Sequence, residues 1–105
     1  MKLWVDDIRL EPLGWVKVSD GENAIEILNT YPVEEISLDH DLGSGFYTGY
    51  DVACWIENQF LCNENFIAPA MNVHSQNPVG VAKIKAVIES IERIRAAKVE
   101  RLLHD

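Results

Sequence analysis

EISLDHDLGSG, residues 35–45, decides the fold. Its first half, with Ile36 and Leu38, is a short apolar run of strand type. Its second half sets Asp39, His40 and Asp41 side by side and then runs into Gly43 and Gly45. An open α/β sheet presents such an ending at its ligand edge, beyond the carboxyl ends of its strands. A plain turn would need only a glycine and one aspartate. What the other strands end in therefore decides between the two readings.

KLWV (2–5) is a buried-type run stopped by Asp6 and Asp7, and IAPAMNVHS (67–75) is a strand ending in His74 and Ser75. WVKV (15–18) reads as a shorter strand for a sheet edge, and EEISLDHD (34–41) as the third. Asp20 or Ser19 caps a helix over GENAIEILNTYP, whose Ala24, Ile25, Ile27 and Leu28 form a stripe. Thr48 or Asp51 caps another through YDVACWIENQFLC, with Val52, Ala53, Trp55, Ile56, Phe60 and Leu61 facing inward. Pro78 opens a last amphipathic helix carrying Ile84, Val87, Ile88, Ile91 and Ile94 on one side. LEPLG (10–14) is a connection. The order β, β-α, β-α, β-α predicts one domain, residues 1–105, built on a mainly parallel sheet.

The bulk properties narrow the function. The 105 residues carry nine Lys and Arg against seventeen Asp and Glu, a net charge of -8, so non-specific DNA binding is not expected. No run reaches the roughly 18 apolar residues of a membrane span, and MKLWVDDIR does not read as a signal peptide. A cytoplasmic protein with no membrane partner is expected. Cys54 and Cys62 lack metal-ligand spacing and read as reduced, packed thiols. No GxGxxG or GxxxxGKS pattern surrounds the glycines, which argues against dinucleotide-binding and P-loop folds. Trp4, Trp15 and Trp55 lie inside apolar runs and read as core aromatics; Tyr47 and Tyr50 can stack on a base or cover the core.

The convergent residues are Asp6, Asp7, Asp39, His40, Asp41, His74 and Ser75. Carboxylates crowded after neighbouring strands repel one another unless a cation is present, and a hard divalent ion such as Mg²⁺ takes oxygen ligands from one or two carboxylates, water and phosphate. Asp7 and Asp39 are the first candidates as ligands, with Asp6 acting directly or through water and Asp41 as a fourth; the alternative for Asp6, Asp7 and Asp39 is to cap turns at the strand ends. His40 and His74 can exchange protons at a phosphate or serve as structural hydrogen-bonders. Ser75 and Asn77 precede a helix N-terminus and can cradle an anion, although Asn77 also suits a plain N-cap. Arg9 can hold phosphate or pair with the carboxylates.

VDD after the first strand, LDHDLG with a following TG after the third, and VHSQN after the last resemble the receiver domains of response regulators. There the counterparts of Asp6, Asp7 and Asp39 bind Mg²⁺, that of Asp39 accepts a phosphoryl group, and that of Ser75 follows the fourth strand. The lysine that follows a receiver's fifth strand has no counterpart here. A closer resemblance is to the cyclic-phosphate processing receiver-like domain, with DDxRxP at Asp6, Asp7, Arg9 and Pro12, LDHDLG at Leu38 to Gly43, and HSxNP at His74, Ser75, Asn77 and Pro78. It implies an α/β receiver-like (flavodoxin-like) three-layer fold of about four mainly parallel strands, with a reduced first crossover helix and no fifth strand.

By that resemblance the domain is a bacterial or phage hydrolase acting on cyclic phosphates of nucleotides, RNA ends or ADP-ribose derivatives, in RNA repair or nucleotide metabolism. Mg²⁺ or Mn²⁺ would be held by Asp6, Asp7, Asp39 and Asp41. His40, His74 and Asp39 would serve the reaction, and Arg9, Ser75 and Asn77 would bind phosphate. The rival expectations are a non-catalytic receiver-like module that binds a nucleotide or protein and is phosphorylated at Asp39, and an acid cluster that holds a purely structural ion.

Overall fold

Four short strands, β1 (Lys2–Val5), β2 (Trp15–Val18), β3 (Glu35–Leu38) and β4 (Ala70–Val73), form one sheet in the order β2-β1-β3-β4. Every pairing is parallel, with Leu3 opposite Val16 and Ile36, and Val5 opposite Val18 and Leu38. The computed structural model describes residues 1–43 and 45–104. β3 and β4 are shorter than expected, running only over Glu35–Leu38 and Ala70–Val73, with the Asp39 and His74 N–H groups still donating to the Val5 and Leu38 carbonyls of the neighbouring strands.

Three helices follow in sequence: α1 (Gly21–Thr30), α2 (Gly49–Cys62) and α3 (Pro78–His104). Asp20 caps α1 by accepting the Asn23 N–H. Thr48 and Asp51, the two alternatives for α2, act together in a reciprocal capping box. Asn77 caps α3, its Oδ1 accepting from the N–H groups of Val79 and Gly80. The α2 stripe buries Val52, Ala53, Ile56 and Phe60, whereas Leu61, expected inside, is 57% exposed because it falls one residue off that face.

The receiver-like α/β fold is as expected, with one difference in its layering. α1 packs on α2 and α2 on α3, so the helices lie side by side in a single layer over one face of the sheet. Leu3, Val5, Val18, Ile36 and Leu38 point into that layer and meet Ala24, Leu28, Val52, Ile56, Ile84, Val87 and Ile91. The expected third layer is absent for two reasons. The connection from β1 to β2 carries no helix at all, and no element other than α3 follows β4. The second sheet face carries Lys2, Trp4, Trp15, Lys17, Glu35 and Ser37, whose side chains alternate with the core set. Trp4 and Trp15 are therefore half-buried partners on that face, ring centroids 5.9 Å apart, and not core residues. Trp55 lies at the margin of the core, edge-on to Phe66.

The start of α2 is tied to the β3 loop by the Gly49 N–H, which donates to the His40 carbonyl at 2.9 Å. A Cβ at Gly49 would run into the Asp39 carbonyl, and one at Gly80 into the His40 ring. Gly49→Ala should therefore cost about 1–3 kcal/mol, typical of an overpacked buried site. A urea melt monitored by circular dichroism should show that loss; an unchanged midpoint would mean that the helix start is free to shift.

Candidate functional site

The strand order reverses between β1 and β3, and this switch point is where an open parallel sheet leaves a crevice. Asp6 and Asp7 leave β1 on one side of it and Asp39 leaves β3 on the other. One carboxylate oxygen from each of the three lies within 4.8 Å of the others. A cleft of about 550 Å³ opens here, lined by Asp6, Asp7, Arg9, Asp39, Asp41 and Ser75 among others.

The three carboxylates differ in what already satisfies them. Asp6 is fully buried; its Oδ1 accepts the N–H groups of Ile8 and Arg9 at 2.8 and 2.9 Å, and its Oδ2 accepts from His74 Nε2 at 3.0 Å. Burial pushes its pKa up, but the Arg9 and Ile8 N–H groups and His74 together outweigh this and hold it below the ordinary carboxylate value. Asp7 Oδ1 is buried with no hydrogen-bond partner among the described residues. Asp39 uses its backbone N–H to bind the Val5 carbonyl, at 2.9 Å. A buried carboxylate oxygen without a donor is costly. A divalent cation bound by Asp7 and Asp39, with Asp6 fixed beside them, would remove that cost, so the donor set fits a hard metal ion.

His74 is held on three sides. Its Nε2–H donates to Asp6, Ser37 Oγ–H donates to its Nδ1 at 2.6 Å, and Trp4 stacks on its ring with centroids 3.6 Å apart. A carboxylate only accepts, which assigns this tautomer. Burial lowers the His74 pKa below its usual value, more than the Asp6 carboxylate raises it. His74 thus orients Asp6 and does not line the cleft. His40 is also turned aside: its ring lies against Gly80, and its Nδ1 is 3.1 Å from Asp41 Oδ1.

Asp41, expected among the ligands, stands outside the three-carboxylate group. Its Oδ2 accepts from Asn77 Nδ2 at 3.4 Å, so Asn77 combines its capping role with support of Asp41. Ser75 reaches the cleft, and its Oγ accepts the Asn77 N–H at 3.2 Å, which leaves the hydroxyl hydrogen free for a ligand. Arg9 is exposed at the rim and forms no ion pair among the described residues, which favours the ligand-binding alternative over a pairing with the carboxylates. Sequence reasoning missed Ser37 and Trp4. The signal was strand parity, since residues 4, 6 and 37 share a sheet face with whatever leans across from β4.

A parallel sheet in the order 2-1-3-4 with an acidic cluster at its switch point defines a receiver-like domain with a candidate metal centre. Residues 1–90 match the cyclic-phosphate processing receiver domain model, and the chain belongs to that family. No curated protein and no solved structure matches it. No helix among the described residues is long and apolar enough to cross a membrane.

Two outcomes follow. Mg²⁺ or Mn²⁺ at about tenfold above its dissociation constant should stabilise the fold by about 1.4 kcal/mol, read as a raised thermal midpoint that chelation reverses. The Asp7→Asn/Asp39→Asn variant should lose that shift; retention would place the ion elsewhere. His74→Phe keeps the stack on Trp4 but strips Asp6 of a donor, and should lower stability by about 1–3 kcal/mol in a denaturant titration.

Proposed function

We propose that this domain is a metal-dependent phosphoesterase that opens a cyclic phosphate on a ribose, in a nucleotide, an RNA end or an ADP-ribose derivative. The observation that carries the reading is the unpartnered buried Asp7 Oδ1, grouped with Asp39 and Asp6 in the same cleft as Arg9 and Ser75. Such a cleft offers acceptors for a cation and donors for an anion, which is what a phosphate with its counter-ion needs. The family membership supports the substrate class.

Mg²⁺ or Mn²⁺, when bound, would offset phosphate charge and acidify a water. Asp7 and Asp39 would hold the ion, while Asp6 is locked by Ile8, Arg9 and His74 so that the cluster keeps its shape. Arg9 and the Ser75 hydroxyl bind the non-bridging oxygens. Hydrolysis forms one bond from a water oxygen to phosphorus, breaks one bond from phosphorus to a ribose oxygen, and leaves the proton on that oxygen. Both histidines act by position, His74 on Asp6 and His40 on Asp41, because neither ring lines the cleft. Asn77 serves in the same way, through Asp41 and the α3 cap. A cytoplasmic setting suits nucleotide and RNA-end substrates.

The withdrawal of both rings is the one observation that favours a second reading, a non-catalytic module phosphorylated at Asp39. Phosphorus NMR on a panel of cyclic phosphates, with and without each ion, separates the two. We expect ion-dependent conversion of a ribose cyclic phosphate to a monoester. Asp39→Asn should lower it by more than the about 10–100-fold that outer partners of a metal usually cost. No turnover on any member, together with a stable acyl phosphate at Asp39 after incubation with acetyl phosphate, would establish the module instead. Ion-induced stabilisation with neither activity would indicate a structural ion.

A further inference from the structure

The acidic cleft continues past its own rim. A second hollow, of about 480 Å³, shares Asp7 and Gly43 with it and is lined further on by Asp20, Glu22, Gly45 and Phe46 among others. Gly43 keeps the junction low: its φ of 67° suits glycine, and a Cβ there would stand 2.9 Å from Asp7 Oδ2. Arg9 and Ser75 line the cleft and not the hollow, so a phosphate held by them leaves the rest of its molecule to extend past Asp7.

Two features of the hollow define what fits it. Phe46 is 94% exposed, yet its backbone is pinned, its N–H donating to Glu22 Oε1 at 3.2 Å. It is the one aromatic residue lining the hollow among the described residues; Tyr47 packs against Gly21, and Tyr50 lies beneath the Lys83 ammonium. The charged side chains of the hollow are all acceptors, with no Lys or Arg among the described residues that line it. Glu22 Oε2 has no hydrogen-bond partner among the described residues. The Asp20 carboxylate accepts the backbone N–H and the side-chain amide of Asn23 and keeps spare lone pairs.

We propose that this hollow is the base subsite of the phosphate cleft and that it selects guanine, a step that rests on the phosphoesterase reading. An aromatic ring stacks on any base, so Phe46 supplies affinity and little choice. The choice lies with the carboxylates, which only accept. Guanine sets two donors side by side, N1–H and the 2-amino group. Adenine and cytosine each set one amino group beside a ring nitrogen that accepts, and uracil has a single N–H between two carbonyls. Acceptor atoms brought against Glu22 and Asp20 are left unpaired and repelled, which ranks the bases guanine, then adenine and cytosine, then uracil. A neutral base brings no charge of its own into the acidic hollow, while the phosphate charge stays with Arg9 and the ion.

Calorimetric titration of the full chain, with Mg²⁺ present, against the 3′-monophosphates of guanosine, adenosine, cytidine and uridine tests this without relying on turnover. We expect the guanosine compound to bind about ten- to hundredfold more tightly than the uridine one, with the other two between them. Phe46→Ala should weaken all four by about five- to hundredfold, and Phe46→Trp should restore them. Glu22→Gln should close most of the gap between guanine and uracil, with far-ultraviolet circular dichroism native in every variant. Equal affinity for the four bases, affinity indifferent to Phe46→Ala, or no binding of any of them would overturn the proposal. Turnover of the four 2′,3′-cyclic nucleotides, followed in parallel, keeps the two readings apart. Equal turnover of all four with no selectivity in binding would remove the guanine subsite and leave the phosphoesterase; guanine-selective, Phe46-dependent binding with no turnover would remove the phosphoesterase and leave the subsite.

Discussion

Three carboxylates brought within 4.8 Å of one another, with no cation among the described residues paired to Asp7 or Asp39, are the constraint on which the rest of the structure depends. Like charges about 4 Å apart repel by about 1 kcal/mol in water and about 4 kcal/mol near a protein surface. Nothing in the local chain would choose such an arrangement. It is imposed by the parallel register of β1 with β3, which delivers Asp6 and Asp39 to the same crevice. It is tolerated because Asp6 is bound by three donors, leaving the strain on Asp7 and Asp39.

The sheet face that carries no helix makes this support possible. All-parallel sheets normally have both faces covered. Here Trp4, His74 and Ser37 form their own cover over the strand ends: His74 leans across β3, is clamped between the Trp4 ring and the Ser37 hydroxyl, and presents one N–H to Asp6. On the opposite side of the crevice, Gly49 and Gly80 let the starts of α2 and α3 close on the Asp39–His40 backbone and the His40 ring. The acidic edge is thus braced from the open face by an aromatic stack and from the helical layer by two glycines.

Much of this was legible in the sequence. The element order, the three strand endings and the motif set led to a receiver-like fold and to Asp6, Asp7 and Asp39, because apolar runs and their polar stops are local signals. The missing first crossover was legible too, because the Pro and Gly of LEPLG read as a connection, and no helix lies between β1 and β2; that the three helices share one layer was not, because it is set by tertiary packing. The roles of the histidines were not legible either. Composition marks His40 and His74 as able to move protons, but only the tertiary packing sets the His40 ring against Gly80 and holds the His74 ring between Trp4 and Asp6. Asp41 and Asn77 look like site residues in the motif; in three dimensions Asp41 lines the cleft and touches Asn77, which also caps α3.

The central claim is that the acidic cluster holds a divalent ion directly against a phosphate. The most direct measurement is the phosphorus NMR relaxation of a ribose cyclic phosphate, or of its slowly turned-over thio analogue, in the presence of the protein and Mn²⁺. The account predicts strong relaxation enhancement with the native chain and its loss in Asp7→Asn at the same total ion and ligand concentrations. An enhancement of equal size in the Asp7→Asn protein, or none in the native chain while Mn²⁺ is demonstrably bound, would contradict it.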